Sequence, residues 1–150
     1  MAVPRRAERP EVVAAPPGPG RAPATTPGWA AFQILRVAFV ALPLLAGIDK
    51  FFAVLGPWRE YLAPDVPDLL GVAPRSVMHA AGVLEIVLGL VVALRPRLGG
   101  WLVAAWLWVI VLNLLAGPGH YDIALRDIAL SLGAVALARL AAQFEPAGSR

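Results

Sequence analysis

Four apolar runs, at 29–55, 76–94, 99–116 and 123–144, dominate this chain. Each is close to the roughly 20 residues that a helix rising about 1.5 Å per residue needs to cross about 30 Å of hydrocarbon. A lipid-facing segment must satisfy its backbone internally, and these runs lack the alternation of barrel strands, so helices are the expected form. Composition agrees. The 150 residues are 59% hydrophobic and 15% charged, whereas a soluble domain averages about 45–50% apolar and about 25% charged residues. The expected fold class is therefore all-α, a polytopic membrane four-helix bundle.

The segments between the runs set the topology. Only residues 95–98 separate the second and third runs, and only 117–122 the third and fourth, so both pairs should be antiparallel neighbours. The link at 56–75 is longer and broken by Pro57, Pro64, Pro67 and Pro74. With Trp58, Tyr61, Leu69 and Leu70 it is expected to lie on the membrane surface as a cap. Residues 1–28 contain seven prolines and few large apolar side chains. They read as a disordered, proline-rich cytoplasmic tail, not as a signal peptide, because no hydrophobic region follows the basic start at Arg5 and Arg6 for roughly twenty residues. Residues 145–150 read as a short C-terminal tail.

Orientation follows from the basic residues outside the runs and in the C-terminal segment that ends the fourth. Arg5, Arg6, Arg9, Arg21, Arg95, Arg97, Arg139 and Arg150 fall on one side, and Arg59 and Arg75 on the other. The positive-inside rule then places both termini and the 95–98 link in the cytoplasm. Trp29 and Trp101 fall at the inner interface and Trp58, Tyr61 and Tyr121 at the outer one, where amphipathic aromatics settle. Arginine outnumbers lysine twelve to one, a bias that suggests a GC-rich bacterial genome and hence a plasma-membrane location.

Several chemistries are excluded. The chain has no cysteine and two histidines, which removes disulfides, thiol catalysis and thiolate clusters and leaves too little imidazole for most metal centres. No metal is expected. The net charge of +3 is spread among apolar runs with no aromatic-interleaved basic face, so nucleic acid is not an expected partner.

The informative residues are the polar ones inside the spans: Arg36, Asp49, Lys50, His79, Glu85, Asn113, Arg126 and Asp127. Such groups are costly in a bilayer and usually face a bundle interior or cavity. All but Arg36 fall in the outer half, with Asn113, Asp127 and Asp49 roughly 6–9 Å and Glu85 roughly 13 Å below the outer helix ends. At about 100° per residue Glu85 shares the face of Gly82 and Gly89, and Ala124, Asp127, Ser131, Ala134 and Ala138 form one strip of small residues. Asp49 points about 100° away from Lys50 unless Pro43 shifts the phase.

Asp49, Lys50, His79, Glu85, Asn113, Arg126 and Asp127 are expected to form one polar pocket. Its three acids, Asp49, Glu85 and Asp127, against Lys50 and Arg126 leave one proton to place, assigned to Glu85 or His79. Glu85 has no basic residue three or four positions away, so its partner must come from another helix, with Arg126 or Lys50 the candidates. Plainer readings stand beside these. Arg126 can be a local helix partner of Asp122, and Lys50 and Arg36 can snorkel to headgroups. His79 can be an interfacial hydrogen bonder, Trp106 and Trp108 can simply pack, and His120 can be exposed.

The stretch Ala46-Gly47-Ile48-Asp49-Lys50-Phe51-Phe52 with Arg36 before it, Glu85-Ile86-Val87-Leu88-Gly89, and Gly119-His120-Tyr121-Asp122-Ile123-Ala124-Leu125-Arg126-Asp127 together resemble DoxX-like membrane proteins over about residues 30–142. The resemblance implies four transmembrane helices and an association with thiosulfate:quinone oxidoreductase components and membrane redox complexes. It also implies family-like polar positions at Arg36, Lys50, Glu85 and Asp127. The absence of cysteine speaks against independent sulfur transfer.

The functional expectation is a non-catalytic or partner-dependent subunit of a quinone-linked redox system, with a membrane quinone as possible cofactor. The bilayer, a redox protein and a second copy of the chain are its possible partners. The alternatives are a small-solute or lipid binding or transport module lidded by the proline-rich link, and a structural assembly factor.

Overall fold

The structure, a computed structural model, describes residues 26–144. The expected tails at 1–25 and 145–150 lie outside the described residues. Five α-helices follow in order: α1 (Pro27–Phe52), α2 (Asp65–Leu70), α3 (Pro74–Leu94), α4 (Pro96–Ala116) and α5 (Tyr121–Phe144), with a 3-10 turn at Trp58–Tyr61. No strand occurs among the described residues. Three helices, α1, α3 and α4, are long and apolar enough to cross a membrane.

Proline starts these three helices. Pro27, Pro74 and Pro96 each take the first helical position, where the missing N–H has no intrahelical partner to lose and the fixed φ suits the helix. This moves the expected boundaries. Thr26 caps α1, its hydroxyl accepting from Trp29 N at 3.3 Å, so Pro27 and Gly28 leave the expected tail and enter the helix. Residues 96–98 become the first turn of α4, and the link to α3 shrinks to Arg95. At the other end of α1 the helix stops at Phe52, earlier than the expected residue 55, because Ala53 turns left-handed at φ 54°. Pro43 lies within α1, which continues through it as one helix.

The bundle is built from two tightly packed pairs, α1 with α3 and α4 with α5. Glycine sets the first crossing. A Cβ on Gly47 would lie 2.6 Å from the Gly82 carbonyl oxygen, and one on Gly82 would lie 2.7 Å from that of Gly47, so the two backbones touch where only glycine fits. The second pair closes in the same way. Gly100 sits against α5, where a Cβ would meet the Ala134 oxygen at 2.8 Å, and the expected strip of Ala124, Asp127, Ser131, Ala134 and Ala138 is buried throughout.

Between the pairs the two ends differ. At the end where α3 turns into α4, the turn end, Phe32, Phe39, Leu88, Val92, Val103, Ala134, Leu137 and neighbouring residues form a continuous core. Trp29, Phe32 and Phe144 close it with ring centroids 5.2–5.5 Å apart. The opposite end is covered by the 53–73 link, and under this cap the bundle is hollow. Outside, Ile34, Val37, Leu90, Leu112 and Leu132 are at least half exposed. An apolar belt of this kind suits a lipid environment.

Candidate functional site

The hollow is a cavity of about 680 Å3 that reaches all four long helices and the link. Its floor is Phe39, Leu88 and Val103, the top of the core, and Trp58, Tyr61 and Leu62 of the link form its ceiling. Most of the wall is apolar. Five of the expected polar residues line it: Lys50, Glu85, Asn113, Arg126 and Asp127.

Lys50 and Glu85 face each other across the α1/α3 pair, with Lys50 Nζ 2.6 Å from Glu85 Oε2 and side chains only 7% and 6% exposed. The partner of Glu85 is thus Lys50 and not Arg126. Lys50 turns inward instead of snorkelling because the Gly47–Gly82 contact brings its helix turn directly against α3. Its ammonium also lies 4.0 Å from the centre of the Trp58 ring, a cation–π contact. The second carboxylate oxygen, Glu85 Oε1, accepts from Trp106 Nε1 at 3.3 Å. This bond crosses from one helix pair to the other.

Arg126 Nε donates to Asp127 Oδ1 at 3.3 Å. Asp127 is buried, whereas the Arg126 side chain is 64% exposed at the rim. The expected alternative of an Asp122–Arg126 helix pair gives way to this neighbour contact. Asn113 serves the cap. Its Oδ1 accepts from Ala63 N at 3.0 Å and its Nδ2 donates to the Tyr61 carbonyl at 2.7 Å, pinning the link above the cavity.

Two expected pocket residues, Asp49 and His79, lie elsewhere, as does the family-like position Arg36. Asp49 is buried but does not line the cavity. Its carboxylate accepts from Val54 N and Leu55 N, each at 2.9 Å, and from Trp58 Nε1 at 2.6 Å. The separation from Lys50 around the helix persists through Pro43, so Asp49 anchors the chain leaving α1. His79 stacks on Phe51 with ring centroids 4.8 Å apart, outside the cavity lining. Arg36 donates to the Ala93 carbonyl at 2.6 Å and satisfies the last turn of α3 at the turn end. His120 is half-buried against the Tyr61 ring and not simply exposed.

Trp58 and Trp106 are the site residues that sequence reasoning assigned to other roles, interfacial anchoring and packing. The available signal was the indole N–H, which seeks a partner where the ring leaves water. Among the described residues no three His, Asp or Glu side chains converge to hold a metal ion. Compared with family models, curated proteins and solved structures, the chain matches none. The functional reading therefore rests on the cavity and its buried ion pair.

Proposed function

We propose that this chain is a DoxX-like four-helix protein of a bacterial plasma membrane whose cavity binds a lipid-soluble quinone, serving as a partner-dependent subunit of a membrane redox system. One observation carries the reading: a buried ammonium–carboxylate pair, flanked by two indole rings, in the wall of an apolar cavity. The volume of about 680 Å3 falls within the roughly 300–1,000 Å3 typical of small-molecule sites.

The donor set fits a quinone head. Lys50 carries N–H groups beyond the one directed at Glu85 and can donate to a carbonyl oxygen. Glu85 can accept from a hydroxyl, and Phe39, Leu88 and Val103 offer an apolar bed below. A quinone supplies two-electron, two-proton chemistry when bound. For such a ligand Lys50 and Glu85 orient the polar head, while the capped, apolar wall limits water. Electrons would come from a partner protein.

As the fourth span, α5 is supported by its length, about 36 Å at 1.5 Å per residue, by its packing along α4, and by the exposed Leu125 and Leu132. Cytoplasmic termini are supported by Arg95 and Arg97 at the turn end and by the absence of Lys and Arg from 117–120. The link pinned by Asp49 and Asn113 also favours a second reading, a lidded module that binds or transports another small amphiphile.

The test is a thermal-unfolding titration of the full chain in phosphatidylcholine nanodiscs with decylubiquinone. The native protein should gain a saturable rise in midpoint, and Glu85→Gln should lose it. Absence of a shift for every quinone tried would sink the redox reading.

A further inference from the structure

Besides the Tyr61 phenol, two acids and two bases line the cavity, and each acid has its base within the lining. Glu85 has Lys50 at 2.6 Å and Asp127 has Arg126 at 3.3 Å. Asp49, the third acid at this level, faces the link, where three N–H groups occupy its two oxygens. His79, stacked on Phe51, is not part of the wall. The wall is thus polar without being charged overall. Moving a proton from the Lys50 ammonium to the Glu85 carboxylate leaves the sum unchanged.

Around these pairs the surface is apolar, and Phe39, Leu88 and Val103 beneath them are at most 6% exposed. A ligand with a net charge would be desolvated here without a counter-ion, because each resident charge is already matched. A neutral head that both donates and accepts can share the Lys50 ammonium and the Glu85 carboxylate at no such cost. The positive net charge of the chain as a whole has no counterpart in the cavity.

We infer that the cavity selects uncharged amphiphiles, with a carbonyl or hydroxyl head on an apolar body, and excludes amphiphiles of either charge. This rests on the reading of the cavity as a ligand site but not on the ligand being a quinone. Selectivity comes from the balance within the two pairs, so unbalancing the inner pair should redirect it. Glu85→Gln leaves Lys50 unmatched and should admit an anion. Lys50→Met leaves Glu85 unmatched and should admit a cation.

Calorimetric titration of the full chain in phosphatidylcholine nanodiscs tests this with dodecanol, decylubiquinone, dodecyl sulfonate and dodecyltrimethylammonium. Ala81→Phe, which places a ring in the cavity, serves as the reference for partition into lipid. The native protein should bind dodecanol at least tenfold more tightly than either ion, a difference of about 1.4 kcal/mol. Glu85→Gln should raise sulfonate affinity about tenfold, Lys50→Met should do the same for the ammonium, and the double variant should restore the native order.

Equal or tighter binding of either ion by the native protein overturns the inference, as does a double variant that keeps the preference of either single one. If a single variant does not fold, the native order and the double variant still decide. Dodecanol binding without decylubiquinone binding removes the quinone reading and leaves charge exclusion standing. Decylubiquinone binding matched by sulfonate does the reverse, and no binding of any probe overturns both.

Discussion

Replacing Lys50 with Met removes the ammonium 2.6 Å from Glu85 Oε2 and leaves the carboxylate one donor, Trp106 Nε1 at 3.3 Å. Met fills the vacated place with apolar atoms, and the Glu85 side chain is only 6% exposed. Breaking a buried pair from one side costs about 3–5 kcal/mol. Glu85→Gln should be milder. Its amide oxygen still accepts from Lys50, and the ammonium keeps the Trp58 ring at 4.0 Å. The amide NH2 then faces the Trp106 indole N–H and that bond is lost, so the change costs a charged acceptor and one weak hydrogen bond, about 2–3 kcal/mol. Making both changes leaves no unmatched charge, and the double variant should return to within about 1 kcal/mol of the native protein. The cycle should then give a coupling of at least about 4 kcal/mol, above the usual range for neighbouring residues. Unfolding by dodecyl sulfate from mixed micelles, followed by indole fluorescence, measures all four proteins. Additive losses would refute the pair. Single variants within about 0.5 kcal/mol of native would refute its burial.

Two further outcomes follow from the packing and the charge distribution. Gly82→Ala puts a Cβ 2.7 Å from the Gly47 carbonyl oxygen, a backbone atom that cannot rotate away. The same micelle titration should show a loss of about 1–3 kcal/mol, and a neutral result would mean that the α1–α3 crossing is looser than described. For orientation, the chain has no cysteine, so single cysteines at positions 59 and 97 can be labelled in intact cells without background. A membrane-impermeant maleimide should reach Arg59→Cys and not Arg97→Cys, and the opposite pattern would invert the proposed topology.

How much was legible in the sequence depends on the kind of order involved. Helix existence was readable because apolar length is a local property, whereas Pro27, Pro74 and Pro96, read as tail and link residues, open the helices and so displace the expected boundaries. The α5 strip was readable too, since helical phase alone places Ala124, Asp127, Ser131, Ala134 and Ala138 on one side, and all five are buried. Phase also put Glu85 inside, but it says which face a residue occupies and not which helix stands opposite. That is why Lys50 and Arg126 were equal candidates until the Gly47–Gly82 contact brought α1 against α3. Asp49 was harder. Its partners are backbone N–H groups of the chain that folds back after Ala53, a turn that no periodicity announces. Trp58 and Trp106 depend on the path of the link and on the reach of a rotamer, which are tertiary facts.

The hollow has a physical basis in the way the halves are joined. Each helix pair is held by its own close glycine and alanine contacts, so neither needs the space between them filled to remain packed. In a bilayer there is little hydrophobic drive to collapse that space, because lipid tails are as apolar as the side chains around it. At the turn end Phe39, Leu88 and Val103 fill the gap between pairs, while at the capped end Ala46 and Ala81 leave it open. In the hollow, the Trp106–Glu85 hydrogen bond connects the two halves. The carboxylate that would meet a ligand is thus also a joint of the bundle. A ligand donating to Glu85 Oε1 would compete with Trp106, coupling occupancy of the cavity to the spacing of the helix pairs.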